Sequence, residues 1–196
     1  MMTDAQTQAR RHDRWVDWLV IGIVVVALLL GWVVKVVAEG RSVLYAAEGL
    51  RVRYPAGWVK TEGQAPVLLE FVDPWAQPYR TTIRIERHPL PPQMDKPLES
   101  VLQMLQLERG QVWQAYRVLQ RREATIGGRQ GLELTFAYVE ANPNPFLTTL
   151  PVVMQGRDFV FGAGDRVYVV TLMAAQENYA AAQRLWQALV RSLTVQ

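Results

Sequence analysis

The longest uninterrupted apolar run in the chain lies near its N-terminus. Residues 18–34 have the sequence WLVIGIVVVALLLGWVV, with no charged side chain. As a helix this run spans roughly 26 Å, and with its flanks it is long enough for a hydrocarbon core of about 30 Å. Trp15 and Trp18 at one end and Trp32 at the other match the aromatic belts of membrane interfaces. The pattern predicts a transmembrane helix over residues 15–38.

The length of chain on each side of this helix favours one orientation. Residues 1–14 form a short tail, whereas residues 39–196 are long enough for a domain. We expect a single-pass signal anchor in the cytoplasmic membrane, with residues 1–14 in the cytoplasm and residues 39–196 extracytoplasmic. Basic residues flank both ends, so their count does not decide the orientation. A cleaved signal peptide is the alternative, although the apolar run exceeds the usual length for one.

Two small residues lie four positions apart in the predicted anchor. Ala27 and Gly31 form a small-xxx-small pair, which lets a second helix approach closely. The alternative is the ordinary composition of a membrane helix. Together with Trp15, Trp18 and Trp32, these residues are the predicted anchor positions.

Beyond residue 39 the apolar positions change to the short periods of strands. Residues 50–54 (LRVRY) alternate apolar and polar positions, as a half-buried strand does. The other segments that predict strands are 42–46, 67–72, 81–87, 116–124, 130–139, 152–161 and 167–174. Turns at Gly127-Gly128 and at residues 162–165 predict hairpins between the last four.

Two segments have the apolar spacing of helices. The first begins near Pro97 and is predicted to end at Gly110. The second covers residues 177–193 and has one apolar stripe that includes Trp186. Because each helix must bury its apolar face against the sheet, the pattern predicts an α+β fold with a central antiparallel sheet.

Charge and composition exclude several classes of function. From residue 39 onward there are 17 Lys and Arg against 15 Asp and Glu, a net charge of only +2. Nucleic-acid binding needs clustered positive charge, so we expect no nucleic-acid partner. The chain has no cysteine, which excludes disulfides, thiolate catalysis and cysteine-ligated metals.

Three segments together resemble one known family. They are GLRVRYPAGW (residues 49–58), TIGGRQGLELTFAY (125–138) and RVYVVTLMAAQENYAAAQRLWQALVRSL (166–193). In this order and spacing they resemble PsbP-like domains, which include extrinsic lumenal subunits of photosystem II. The resemblance implies an α/β/α sandwich with a central antiparallel sheet over residues 39–196, and a role in binding rather than catalysis. The predicted anchor departs from the soluble photosystem members.

The residues by themselves assemble no catalytic set. His88 is the one histidine beyond the N-terminal tail, so no serine–histidine–aspartate triad or histidine pair for a metal is indicated. Glu86 and His88 share a strand face and would be the pair to meet a divalent ion, with Arg84 and Arg87 opposing its charge. The alternative is an exposed strand end before Pro89. We therefore predict no catalytic residues, no cofactor and no metal.

Two aromatic residues in loops are candidate interface positions. Trp75 lies among Asp73, Pro74 and Pro78, and Phe146 lies in the segment NPNPFL. Exposed aromatics on rigid loops commonly anchor interfaces, although local packing is the alternative for both.

The leading hypothesis from the sequence is a non-enzymatic accessory or assembly subunit. It would be held in the lipid bilayer and bind the subunits of a respiratory or photosynthetic membrane complex on the extracytoplasmic face. The alternatives are a module for a small apolar ligand or lipid and, third, a hydrolase or metalloenzyme.

Overall fold

The structure is a computed structural model that describes residues 18–32, 41–47, 49–90, 96–141 and 150–195. The chain divides into two compact units, Met1–Arg41 and Ser42–Gln196. In the first unit, residues 18–32 form helix α1. Across the described ranges, no helix is both long enough and apolar enough to cross a membrane. The predicted span over residues 15–38 includes positions outside those ranges, so the membrane-spanning helix is not confirmed.

The second unit contains ten strands and two helices within its described residues. In chain order they are β1 (Ser42–Ala47), β2 (Leu50–Pro55), β3 (Val59–Glu62), β4 (Val67–Asp73), β5 (Thr81–Pro89), α2 (Pro97–Val112), β6 (Gln114–Ile126), β7 (Arg129–Glu140), β8 (Val152–Ala163), β9 (Arg166–Ala175), α3 (Tyr179–Ser192) and β10 (Thr194–Val195). Strands β3 and β10 were not predicted, because four and two residues are too few to show a period.

The strands form two antiparallel sheets. Seven strands lie in the order β3-β4-β5-β9-β8-β7-β6, and β1, β2 and β10 form a smaller sheet with β2 in the middle. The turn between β6 and β7 has positive φ at both Gly127 and Gly128, 59° and 79°, as a two-residue hairpin turn requires. The predicted hairpins β6–β7 and β8–β9 are confirmed.

Helix α2 is longer than the sequence suggested. Pro97 opens it, as predicted, but Gly110 lies inside the helix, which continues to Val112. The prediction of Gly110 as the helix end was wrong. Its φ is not in the left-handed region that a terminal glycine adopts, and Trp113 caps the helix in an extended conformation instead.

The large sheet is covered on both faces. One core joins α2 to the sheet through Val101, Leu102 and Leu105. The other core joins α3 and the small sheet to the opposite face, with Trp186 fully buried at its centre. The indole N–H of Trp186 donates to the backbone carbonyl oxygen of Val170 at 3.3 Å. The predicted α+β class and the central antiparallel sheet are therefore confirmed.

Two glycines of β8, Gly156 and Gly162, differ in how much space surrounds them. This difference allows a test of how tightly the core is packed. A Cβ on Gly156 would lie 2.1 Å from Cζ of the buried Phe136 ring, whereas a Cβ on Gly162 would meet nothing closer than 4.0 Å. We expect Gly156→Ala to lower the free energy of unfolding by about 1–3 kcal/mol, because the ring must move within a filled core. Urea denaturation measures this change. The matched Gly162→Ala should stay within about 0.5 kcal/mol of wild type, and equal effects would contradict the packing described.

Candidate functional site

A pocket of about 450 Å³ lies between α2 and the sheet. Charged or titratable side chains line it from two elements, namely Arg84, Glu86 and His88 on β5 and Glu108 and Arg109 on α2. The apolar part of its lining includes Met104, Leu105, Val112, Trp113 and Met173. Because the pocket combines buried charge with apolar surface, a molecule that fills it needs polar atoms as well as apolar ones.

A buried ion pair connects α2 to the centre of the sheet next to this pocket. The guanidinium of Arg109 donates two hydrogen bonds to the Asp158 carboxylate of β8, at 2.5 and 3.1 Å. The Thr171 hydroxyl on β9 donates to the same carboxylate at 2.7 Å and accepts from Arg109 at 3.2 Å. Burial lowers the pKa of Arg109, but the adjacent Asp158 charge outweighs that effect, so the pKa is raised and the guanidinium stays charged.

The structure brings Glu86 and His88 together on β5, as their spacing predicted. His88 Nε2 lies 3.1 Å from Glu86 Oε2. Both side chains are buried, so the expectation of an exposed strand end at His88 was wrong: α2 covers this stretch of the sheet face. Burial opposes ionisation of Glu86, but the His88 hydrogen bond and the charges of Arg109 and Arg84 prevail and hold its pKa below the ordinary value.

The Glu86–His88 pair does not form a metal centre with other described residues. Within the described ranges, no three histidine or acidic side chains lie close enough together to hold an ion. Arg84 Nη1 is 3.9 Å from Glu86 Oε1, so a guanidinium occupies one side of the carboxylate. The contact between Glu86 and His88 gives each of these buried polar side chains a hydrogen-bond partner.

A second buried ionic network lies on the opposite face of the sheet. Arg157 on β8 donates through Nε to the Tyr179 hydroxyl of α3 at 3.1 Å, and its Nη1 lies 3.5 Å from Glu133 on β7. Glu133 also accepts from Arg122 on β6 at 2.8 Å. None of these roles, nor those of Arg109 and Asp158, was predicted from the sequence. The sequence held one signal for these ion pairs, namely a charged residue inside an otherwise apolar strand. A charge buried in this way needs a partner.

Trp75 lies on the surface, in the loop between β4 and β5. Its side chain is 83% exposed, and its backbone N–H donates to the Asp73 carboxylate at 3.0 Å. Beside it is a hollow of about 330 Å³ lined partly by Trp58, Gln77 and Leu185. We call Trp75 together with Trp58, Gln77 and Leu185 the Trp75 surface. The loop is tied to the start of α3, because the Asn178 amide donates to the Gln77 carbonyl at 2.6 Å.

The other predicted site residues fall into two groups. Trp18, Ala27, Gly31 and Trp32 lie on α1, and all four are exposed. Trp15 and Phe146 lie outside the described residues. The anchor and interface roles of all these residues stay predictions.

Comparison with known proteins identifies the fold. No protein-family model matches the sequence, and no curated protein matches it either. Among solved structures, cyanobacterial PsbP (CyanoP) from Synechocystis sp. PCC 6803 matches with a TM-score of 0.58 and 12% identity, over 79% of this chain and 92% of that one. The fold is PsbP-like. At this identity the likeness shows the fold alone.

Two further solved structures have the same PsbP-like fold. LpqN of Mycobacterium tuberculosis, described as involved in cell envelope biogenesis, matches with a TM-score of 0.52 and 15% identity, over 79% of this chain and 90% of that one. The Saccharomyces cerevisiae Ran-binding protein Mog1p matches with a TM-score of 0.51 and 14% identity, over 79% and 95%. The predicted PsbP-like sandwich is therefore confirmed as a fold.

Breaking the Arg109–Asp158 pair should be costly. Arg109→Met leaves the Asp158 carboxylate buried without its counter-ion, and we expect a loss of about 3–5 kcal/mol in the free energy of unfolding. Urea denaturation measures it. The double variant Arg109→Met/Asp158→Leu should recover much of that loss, because no lone charge remains buried. Arg117→Met, at an exposed arginine, is the control, and a loss there equal to that of Arg109→Met would contradict the assignment.

Glu86 should contribute to stability in a pH-dependent way. Its pKa in the folded chain lies below the ordinary 4.5, so its contribution is complete above that pH and is lost as pH falls through the folded value. Glu86→Gln should therefore flatten the decline in unfolding free energy below about pH 4.5. Thermal unfolding between pH 3 and pH 7 tests this. Glu177→Gln, at an exposed position, makes the same charge change and should leave the acid decline steep.

Proposed function

We propose that this protein is a non-enzymatic accessory or assembly subunit that binds a membrane protein complex through the Trp75 surface. The observation that carries the proposal is the exposure of Trp75 on a loop held at both ends. Asp73 fixes the turn before it, and Asn178 ties the loop to α3. A large aromatic side chain presented on a rigid support has the character of an interface hot spot.

The proposal includes the anchor and topology that the apolar pattern favours. Residues 15–38 would cross the cytoplasmic membrane once as a signal anchor, and residues 39–196 would form the extracytoplasmic domain. A tether of this kind raises the local concentration of the domain at the membrane, so a small docking surface is sufficient. Trp15, Trp18 and Trp32 would lie at the two membrane–water interfaces. Ala27 and Gly31 would form the face against which a second helix packs closely.

Binding roles in proteins of the same fold support the proposal at the level of analogy. Mog1p is named for binding Ran, and LpqN is described as taking part in cell envelope biogenesis. The sequence resemblance adds the extrinsic subunits of photosystem II. A shared fold does not by itself imply a shared function. The experiment below therefore tests the Trp75 surface and not the fold.

The pocket under α2 does not favour the apolar-ligand alternative. Its lining includes the charged Glu86 and Arg109, and a wholly apolar ligand would remove their remaining contact with water without replacing it. We therefore do not propose a lipid or apolar small molecule as the ligand of this domain.

The test is co-migration of the full chain with a membrane complex after solubilisation in mild detergent. Wild-type chain should run with the complex on a native gel, and Trp75→Ala should weaken that association about 30-fold, as hot-spot tryptophans do. Leu107→Ala is the matched control, since Leu107 is 69% exposed but lies on α2, across the sheet from α3. Wild-type chain that always runs alone would contradict the accessory role. Equal retention of both variants would contradict the Trp75 surface.

A further inference from the structure

The two edges of the large sheet are very different. Strand β3 forms one edge with four residues, whereas β6 forms the other with thirteen. Strand β6 pairs with β7 along one side, and no described strand pairs with its other side. Unpaired backbone donors and acceptors along such an edge are a template for another strand.

The two halves of β6 differ in regularity. Its register with β7 shifts between Gln114 and Arg117 and again between Val118 and Gln120, and Ala115 has a φ of 54°. From Gln120 to Ile126 every residue has its partner on β7 without a shift. Bulges protect an edge from pairing, so in β6 that protection covers the first half only. Within the part of the chain that the structure describes, no strand pairs with the outer side of residues 120–126, and this part of the edge is straight.

The charged residues of this straight segment lie on known faces of the sheet. Arg121 and Glu123 are opposite Leu134 and Leu132 of β7, which belong to the α2 side. Arg122 is opposite Glu133 and lies on the α3 side. Arg121 and Glu123 are therefore two residues of opposite charge on one face, separated by a single residue that points away. Arg121 Nη2 also lies 3.2 Å from Glu99 Oε2 of α2 on this face.

We propose that residues 120–124 of β6 pair with the same segment of a second copy of this chain, in an antiparallel register centred on Arg122. Residues opposite each other across two antiparallel strands share a face, so a two-fold register must pair residues whose numbers add to an even sum. Of the registers that meet this condition, the one centred on Arg122 places Arg121 of each copy opposite Glu123 of the other. Two cross-strand ion pairs then form on the α2 face.

The residue on the two-fold axis is compatible with this register. Two Arg122 side chains would meet on the α3 face, and like charges directly opposite are unfavourable. Each guanidinium is already bound to Glu133 of its own chain at 2.8 Å, which offsets the repulsion. The flanking positions pair Gln120 with Ala124 and carry no charge.

The first test is a charge exchange in the full chain in detergent, with dimerisation followed by analytical ultracentrifugation. Glu123→Arg places arginine opposite Arg121 twice, and we expect the dissociation constant to rise at least about tenfold. The triple variant Glu99→Gln/Arg121→Glu/Glu123→Arg restores both ion pairs with reversed sign and removes the carboxylate that Arg121 binds in its own chain, so it should return to within about threefold of wild type. A wild-type chain that stays monomeric, or a triple variant as weak as the single one, overturns the proposal.

The second test uses the absence of cysteine from the chain, which makes single-cysteine variants unambiguous. Arg122→Cys places two thiols on the axis, where opposing Cα atoms are about 4.5–5.5 Å apart and a disulfide can close. Thr125→Cys is the matched control, because its two copies would be roughly 20 Å apart along the strands. We expect rapid oxidation to a covalent dimer for Arg122→Cys alone. Equal cross-linking of the two variants, or none, overturns the register.

Discussion

Strands β8 and β9 lie in the interior of the seven-stranded sheet, and both of their faces are buried over most of their length. Along these buried stretches both faces are shielded from water, so the chain must supply a cover for each face. Helix α2 supplies one cover, and α3 with the small sheet supplies the other. Strand β10 pairs with β2, so Thr194 and Val195 are part of the second cover.

The same constraint explains where the buried charges lie. Arg157 and Asp158 are adjacent on β8 and therefore point to opposite faces of the sheet. Asp158 binds Arg109 of α2, and Arg157 binds Tyr179 of α3 and lies near Glu133. Each cover is thus bound to the interior strand β8 by a charged side chain that points toward it. Separating such a buried pair is costly, which favours one position of each helix on the sheet.

The two covers bury both faces of the large sheet. Only solvent-exposed surfaces outside them are available to bind a partner. The Trp75 surface lies where the β4–β5 loop meets α3, and the open part of β6 lies at an edge of the sheet. The pocket under α2 is a further opening, but Glu86 and His88 bind each other there and Arg109 binds Asp158. Because the PsbP-like fold alone does not specify an activity, these local features carry the functional argument.

The period of apolar residues by itself determined the strands of the large sheet except β3, both helices of the domain and the burial of Trp186, because each is a local pattern of adjacent positions. It also placed Glu86 and His88 on one strand face. The end of α2 and the strands β3 and β10 depended on contacts with distant segments. The Arg109–Asp158 and Arg157–Glu133 pairs join residues 49 and 24 positions apart, and no local period relates such positions. Only the tertiary structure decided which charges are buried together and which edge stays open, because both depend on the order of strands in the sheet.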